Sequence, residues 1–124
     1  MRHAVSWFEI PVTDRDRARQ FYETILGVEM PSMELANGLK MAIFPVEPGT
    51  IGGALCEHAD FYHPGKEGPL VYLNAAPNIQ KVLDKIEGAG GQIIVPKTEI
   101  SKEHGYMAVL LDTEGNRVAL RAMQ

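Results

Sequence analysis

The side chains in this sequence that could do chemistry fall in two groups. The first is Trp7 and Glu9, in the run Trp7–Val12 (WFEIPV). Residues two apart on a strand share a face. Phe8, Ile10 and Val12 form the apolar alternate set, so Trp7 and Glu9 are expected on the opposite face. A carboxylate on a covered face is costly unless it is paired or solvated. Glu9 is therefore a candidate general base or ligand contact. Trp7 either stacks on a planar ligand through its broad apolar ring or fills space. The same alternation puts Arg121 on the face of Ala119, where it either pairs with Glu9 or stands in solvent at a strand end.

The second group is Cys56, His58 and His63, a C-x-H-x4-H run. These types can ligate zinc or iron, but the run has none of the spacings that mark a metal site. Cys56 and His58, two apart on one strand, project in parallel, which is poor geometry for a thiol and its base. A lone buried cysteine more often behaves as a small hydrophobe. His3 and His104 read as terminus and loop residues. No phosphate-binding glycine loop is expected, because Gly88, Gly90 and Gly91 close a helix instead of opening one.

Composition narrows the classes. The chain has 124 residues, 45% hydrophobic and 23% charged, as in an ordinary globular domain. A net charge of −4 argues against nucleic acid, which demands clustered Lys and Arg. Arg15, Arg17 and Arg19 are interrupted by Asp14 and Asp16 and read as a solvated helix face. No apolar run approaches the length of a membrane span, and Met1-Arg2-His3 lacks the apolar core of a signal peptide. With one cysteine, a reducing, cytoplasmic setting is expected.

The elements that must position these residues repeat. Phe8, Ile10 and Val12 give a strand. Ala18, Phe21, Tyr22, Ile25 and Leu26 then follow helical spacing, with Thr13 expected as N-cap and Gly27 as the left-handed C′ residue. Val71–Gly91 repeats the unit, with Ile79, Val82, Leu83 and Ile86 at helical spacing, Pro77 in the first turn and Gly90-Gly91 at the end. Strand candidates follow in each half: Val28–Leu35, Leu39–Phe44 and Thr50–His58, then Gln92–Ile100, Gly105–Asp112 and Asn116–Ala122. Gly52 and Gly53 suggest a bulge or a close approach by a ligand or backbone. The reading is β-α-β-β-β twice, with Trp7 and Val71 as repeat mates. Module one covers about 3–58, a linker about 59–69, and module two about 70–124, together one domain. In the linker, Phe61, Tyr62 and His63 either pin the loop to the core or cover a binding cavity.

Val12-Thr13-Asp14 with Phe21-Tyr22 and Leu26-Gly27, then Ala89-Gly90-Gly91, and Asp112-Thr113-Glu114-Gly115-Asn116 resemble the vicinal oxygen chelate superfamily, which includes glyoxalase I, bleomycin-resistance proteins and extradiol dioxygenases. Pro96–Ile100 (PKTEI) with the DTEGN turn is similar to a bacterial glyoxalase-like branch. The resemblance spans nearly the whole chain. It implies an α+β fold of two tandem βαβββ modules whose mixed sheet curls around a shared cavity, often completed by a dimer. It also implies a divalent metal held by four His and Glu side chains. Carried over residue by residue, three of those positions fall on Trp7, Val71 and Ala119, none of them a donor. The fourth falls near Cys56 or near Gly53.

The expected function is therefore a binding protein of the bleomycin-resistance kind, with no metal or other cofactor. It would hold a small, partly aromatic ligand among Trp7, Glu9, Cys56, Val71, Leu73, Ala119 and Arg121. The alternative is an enzyme of the lyase, isomerase or dioxygenase type, using a relocated metal or Glu9 as general base. A third is a fold kept for oligomerisation alone. The expected partners are a small molecule and a second copy in a homodimer, not nucleic acid or membrane.

Overall fold

The structure, a computed structural model, describes residues 2–124; Met1, part of the N-terminal reading above, lies outside the described residues. The first module is β1 (Trp7–Pro11), α1 (Arg15–Leu26), β2 (Ser32–Glu34), β3 (Lys40–Ile43) and β4 (Gly52–Glu57). The second is β5 (Tyr72–Asn74), α2 (Ile79–Ile86), β6 (Gln92–Ser101), β7 (Gly105–Leu111) and β8 (Arg117–Ala122). Each module forms a four-stranded mixed sheet with the same topology, β1-β4-β3-β2 and β5-β8-β7-β6. The first strand of each lies parallel to the last, and the other pairs are antiparallel. This is the expected α+β fold of two βαβββ modules, with the sheets left open instead of closed into a barrel.

One apolar core unites the modules. Ile10 and Val12 from β1, Phe21, Tyr22 and Ile25 from α1, Leu55 from β4, and Leu73, Ile79, Ile86, Leu110 and Leu120 from module two pack together. Burial of this apolar face, more than helix propensity, holds the short helices. Phe8, Phe44, Tyr22 and Phe21 form a chain of tilted and edge-on rings with centroids 5.0–5.6 Å apart.

Gly53 is explained by that chain. A Cβ there would sit 2.5 Å from the Phe8 ring, so the glycine admits a side chain of its own fold, and β1 and β4 pair without a bulge. Gly52 likewise lets the Trp7 ring lie against β4, with a Cβ position 3.3 Å from Cζ3.

Several boundaries differ from expectation. Asp14, not Thr13, caps α1, accepting from the Arg17 N–H at 3.0 Å, because the Thr13 hydroxyl is turned to Glu114. Gly27 takes the left-handed conformation, φ 66°. Pro77 follows a cis bond and stands before the N-cap Asn78, outside the helix. β2 is only three residues long. Strand β4 ends at Glu57, so His58 lies beyond it and does not share a strand face with Cys56.

The repeat is also shifted by one. The N–H of Val12 bonds the Cys56 carbonyl as that of Ala75 bonds Arg121, which makes Val12 and Ala75 mates, whereas the N-caps Asp14 and Asn78 match one residue further along. Module two thus has one more residue between strand and helix. A one-residue slip turns every side chain to the other face. Leu73 therefore points into the core, Val71 packs at its edge, and Tyr72 and Asn74 take the open face with Ala119 and Arg121.

Candidate functional site

Trp7, Glu9 and Cys56 do come together, on the open face of the first sheet. The register sets Trp7 beside Gly52, Glu9 beside Ala54 and Pro11 beside Cys56. Across β4, Met41 and Ile43 of β3 lie on the same face. Met41, Ala54 and Cys56 form a second, small core capped by Leu39, Ile43 and the linker residue Tyr62. Above it, the Glu9 carboxylate accepts from the Tyr62 hydroxyl at 2.5 Å on Oε1 and from the Trp7 indole Nε1 at 3.2 Å on Oε2. Trp7 keeps 44% of its surface exposed.

The electrostatics follow. The hydrogen bond to Glu9, with burial, raises the Tyr62 hydroxyl well above its ordinary range. Burial, then the charge of Glu9, pushes the Cys56 thiol up to about 12. Cys56 is fully buried, and so is a packing residue and not the ligand contact expected of it. At such a pKa almost no thiolate exists at neutral pH, which leaves the thiol a poor nucleophile.

Glu9 also stands at the wall of a cleft of about 670 Å3 between β1 and the start of β8, bordered by the linker. Pro11, His63, Lys66, Glu67, Val71 and Arg117 share that wall. Arg121 is not Glu9's partner: its Nε donates to the His104 carbonyl at 2.9 Å. Ala119 is buried on the open face of the second sheet. Leu73 lines a different, apolar crevice with Phe8, Phe44 and Tyr72.

The three linker aromatics divide. Tyr62 covers the small core and His63 lines the cleft. Phe61, 74% exposed, stacks on His58 at 4.8 Å. His58 is occupied by the Asn37 carbonyl and the Asp60 N–H, both at 3.2 Å. Cys56, His58 and His63 thus face different surroundings. Among the described residues, no three His, Cys, Asp or Glu side chains converge as metal ligands would. The family's metal does not fit the side chains at Trp7, Val71 and Ala119, nor at Leu70, the structural mate of Trp7.

Tyr62 as the partner of Glu9 was not legible from spacing, since the two are 53 residues apart. Nor was the task of the DTEGN turn. Asp112, almost fully buried, accepts from the Tyr22 hydroxyl at 2.6 Å and from the backbone N–H groups of Glu114 and Asn116. The Asn116 amide donates to the Pro11 carbonyl at 2.7 Å and accepts from the Gly65 N–H at 3.0 Å. The turn thereby fixes β1, α1 and the linker around the cleft.

The comparisons agree with this architecture. The chain superposes on an antibiotic-binding protein, TnmS3, from Streptomyces sp. CB03234 with a TM-score of 0.69 and 20% identity, covering 98% of each chain. It matches a glyoxalase/bleomycin resistance protein from Albidiferax ferrireducens at TM-score 0.72 and 16% identity, over 95% of this chain and 97% of that one. Against glyoxalase I from Zea mays the TM-score is 0.70 at 18% identity, over 95% of this chain and 45% of that one. In sequence it is 28% identical over 109 residues to CFP32 of Mycobacterium tuberculosis, covering 88% of this chain but only 40% of that protein. A family model described as the Glyoxalase/Bleomycin resistance protein/Dioxygenase superfamily matches residues 4–120, and the chain belongs to that superfamily.

Proposed function

We propose that this protein binds a small, partly aromatic molecule where the cleft opens onto the first sheet, and does so without the metal usual in its superfamily. The observation that carries this reading is the group Trp7–Glu9–Tyr62: a half-exposed indole and a carboxylate fixed by two neutral donors, beside a cleft of about 670 Å3. The likeness to TnmS3 is in keeping with it. Fluorescence titration tests the reading directly, because Trp7 is the single tryptophan. Ligands from a screen of aromatic small molecules should quench it, and Trp7→Phe and Glu9→Gln should weaken their binding while leaving the fold intact. Metal analysis of protein purified without tag or chelator should find no stoichiometric divalent ion. Stoichiometric metal together with turnover would favour the enzyme reading, with Glu9 as base.

We also propose that two copies pair. Met33 and Leu35 at the β2 edge, and Ile94 and Ile100 at the β6 edge, are exposed apolar residues beside unpaired strand edges. A monomeric mass by light scattering across micromolar concentrations would refute the pairing.

A further inference from the structure

We propose that the ligand class is an organic cation, an aromatic or aryl-alkyl amine whose ammonium group sits on Glu9 while its ring covers Trp7. This deepens the binding reading above and rests on it. Glu9 is held only by neutral donors. Its two oxygens each accept one hydrogen bond, from the Tyr62 hydroxyl and the Trp7 indole, both uncharged donors. No Lys, Arg or His lies within ion-pair distance of it among the described residues. Each carboxylate oxygen has two acceptor sites, so one on each remains open. The negative charge is thus oriented but not neutralised by the chain itself.

The second observation is the indole. Gly52 lets its six-membered ring lie on β4, and 44% of the residue's surface stays open. The face of an electron-rich ring attracts a cation, tryptophan most strongly, and a planar ring also stacks there. An uncompensated carboxylate with two aromatic side chains bound to it selects positive charge on an aromatic body. Lys66, Arg117 and His63 line the neighbouring cleft together with Glu67, and none of them forms an ion pair with Glu9; Arg117 Nη2 donates instead to the Gly68 carbonyl at 2.9 Å.

Three probes with one ring system separate charge from ring: 2-naphthylmethylamine, 2-naphthylmethanol and 2-naphthoate, titrated calorimetrically at pH 7. The amine should bind at least about tenfold more tightly than the alcohol, and the acid more weakly than either. Glu9→Gln should erase the advantage of the amine over the alcohol. Should Glu9→Gln unfold the protein, Tyr62→Phe serves instead. It removes one donor from Glu9 and should widen the preference for the amine, and an unchanged or narrower preference in that variant would overturn the cation proposal. Equal binding of amine and alcohol, tighter binding of the acid, or a preference that survives Glu9→Gln would overturn the cation proposal and leave the binding reading standing. No binding of any probe up to about 1 mM would overturn both.

Discussion

Glu114 and Arg17 form a two-pronged ion pair that ties the second module to the first. Arg17 Nε meets Glu114 Oε2 at 2.8 Å and Nη2 meets Oε1 at 2.9 Å. The same Oε1 accepts the backbone N–H groups of Thr13 and Asp14, both at 3.0 Å. A carboxylate from the β7–β8 turn therefore serves the N-terminus of α1, where helix N–H groups have no partners of their own and the helix dipole favours negative charge.

Removing that carboxylate should loosen the join. Glu114 has a fully buried side chain, so Glu114→Ala strands both N–H groups and leaves the guanidinium without its partner. The expected loss is about 2–4 kcal/mol, since charge-assisted hydrogen bonds are worth more than neutral ones and orphaned donors add to the cost. Arg17→Ala should cost less, because Arg17 is half-exposed. Chemical denaturation of the two variants checks the order.

The pair also sets an acid limit. Burial works to raise the Glu114 pKa, but the hydrogen bonds from Arg17, Thr113, Thr13 and the Asp14 backbone outweigh it and bring the value from 4.5 to about 2. A carboxyl with a lower pKa folded than unfolded adds stability above the unfolded value and loses it as protons bind. The wild type should therefore lose melting temperature as pH falls through 4.5 towards 2, and Glu114→Gln should lose less over that window. Thermal melts between pH 6 and 2 measure the difference.

Beneath the same turn, Asp112 and Tyr22 of α1 are both buried, and the phenol donates to the carboxylate at 2.6 Å. Tyr22→Phe keeps the ring packing against Phe21 and Phe44 but leaves a lone pair of Asp112 unmet. The expected cost is about 1.5–3 kcal/mol, the range for a hydrogen bond to a charged group. Equilibrium unfolding of this variant gives the value.

The fold was legible because hydrophobic period, helix caps and turn glycines act locally: Gly27 ends α1 as its position suggested, and Asn37-Gly38 turns β2 into β3. That Trp7 and Glu9 share the face opposite Ile10 was legible for the same reason, as alternation along one strand needs no tertiary information. What failed was transfer between modules. One added residue before Asn78 turned Leu73 into the core, whereas Val71 still borders the cleft beside Glu9. Glu9–Tyr62, Tyr22–Asp112 and Arg17–Glu114 join residues far apart in sequence, and no period reports them. Gly53 carried a true signal of close approach, but a glycine does not say whether a ligand or a phenyl ring approaches.

That last ambiguity yields a packing test. The Cβ of Gly53→Ala would fall 2.5–2.6 Å from three atoms of the Phe8 ring. Phe8 leans on Phe44, so it cannot swing aside freely. Overpacking of this kind costs about 1–3 kcal/mol. Gly65→Ala meets nothing within 4 Å and is the control expected to change little. Thermal melts on the pair decide it, and a neutral Gly53→Ala would contradict the ring placement.

Cys56 supplies the final prediction, since it reports on the cover over the small core. Its thiol is fully buried, under Tyr62 and beside Glu9, with a pKa near 12 set by burial first and by the carboxylate second. Reaction with iodoacetamide needs the thiolate and an open path. At pH 8 the native protein should react far more slowly than the unfolded chain, whose thiol ionises near its ordinary value. Glu9→Gln removes a negative charge beside the sulfur and should lower its pKa without exposing it. Tyr62→Ala uncovers the small core and should accelerate labelling more than Glu9→Gln does. If the native thiol labels as fast as the unfolded one, Tyr62 does not seal that face, and the closed contact between Glu9 and Tyr62 is wrong.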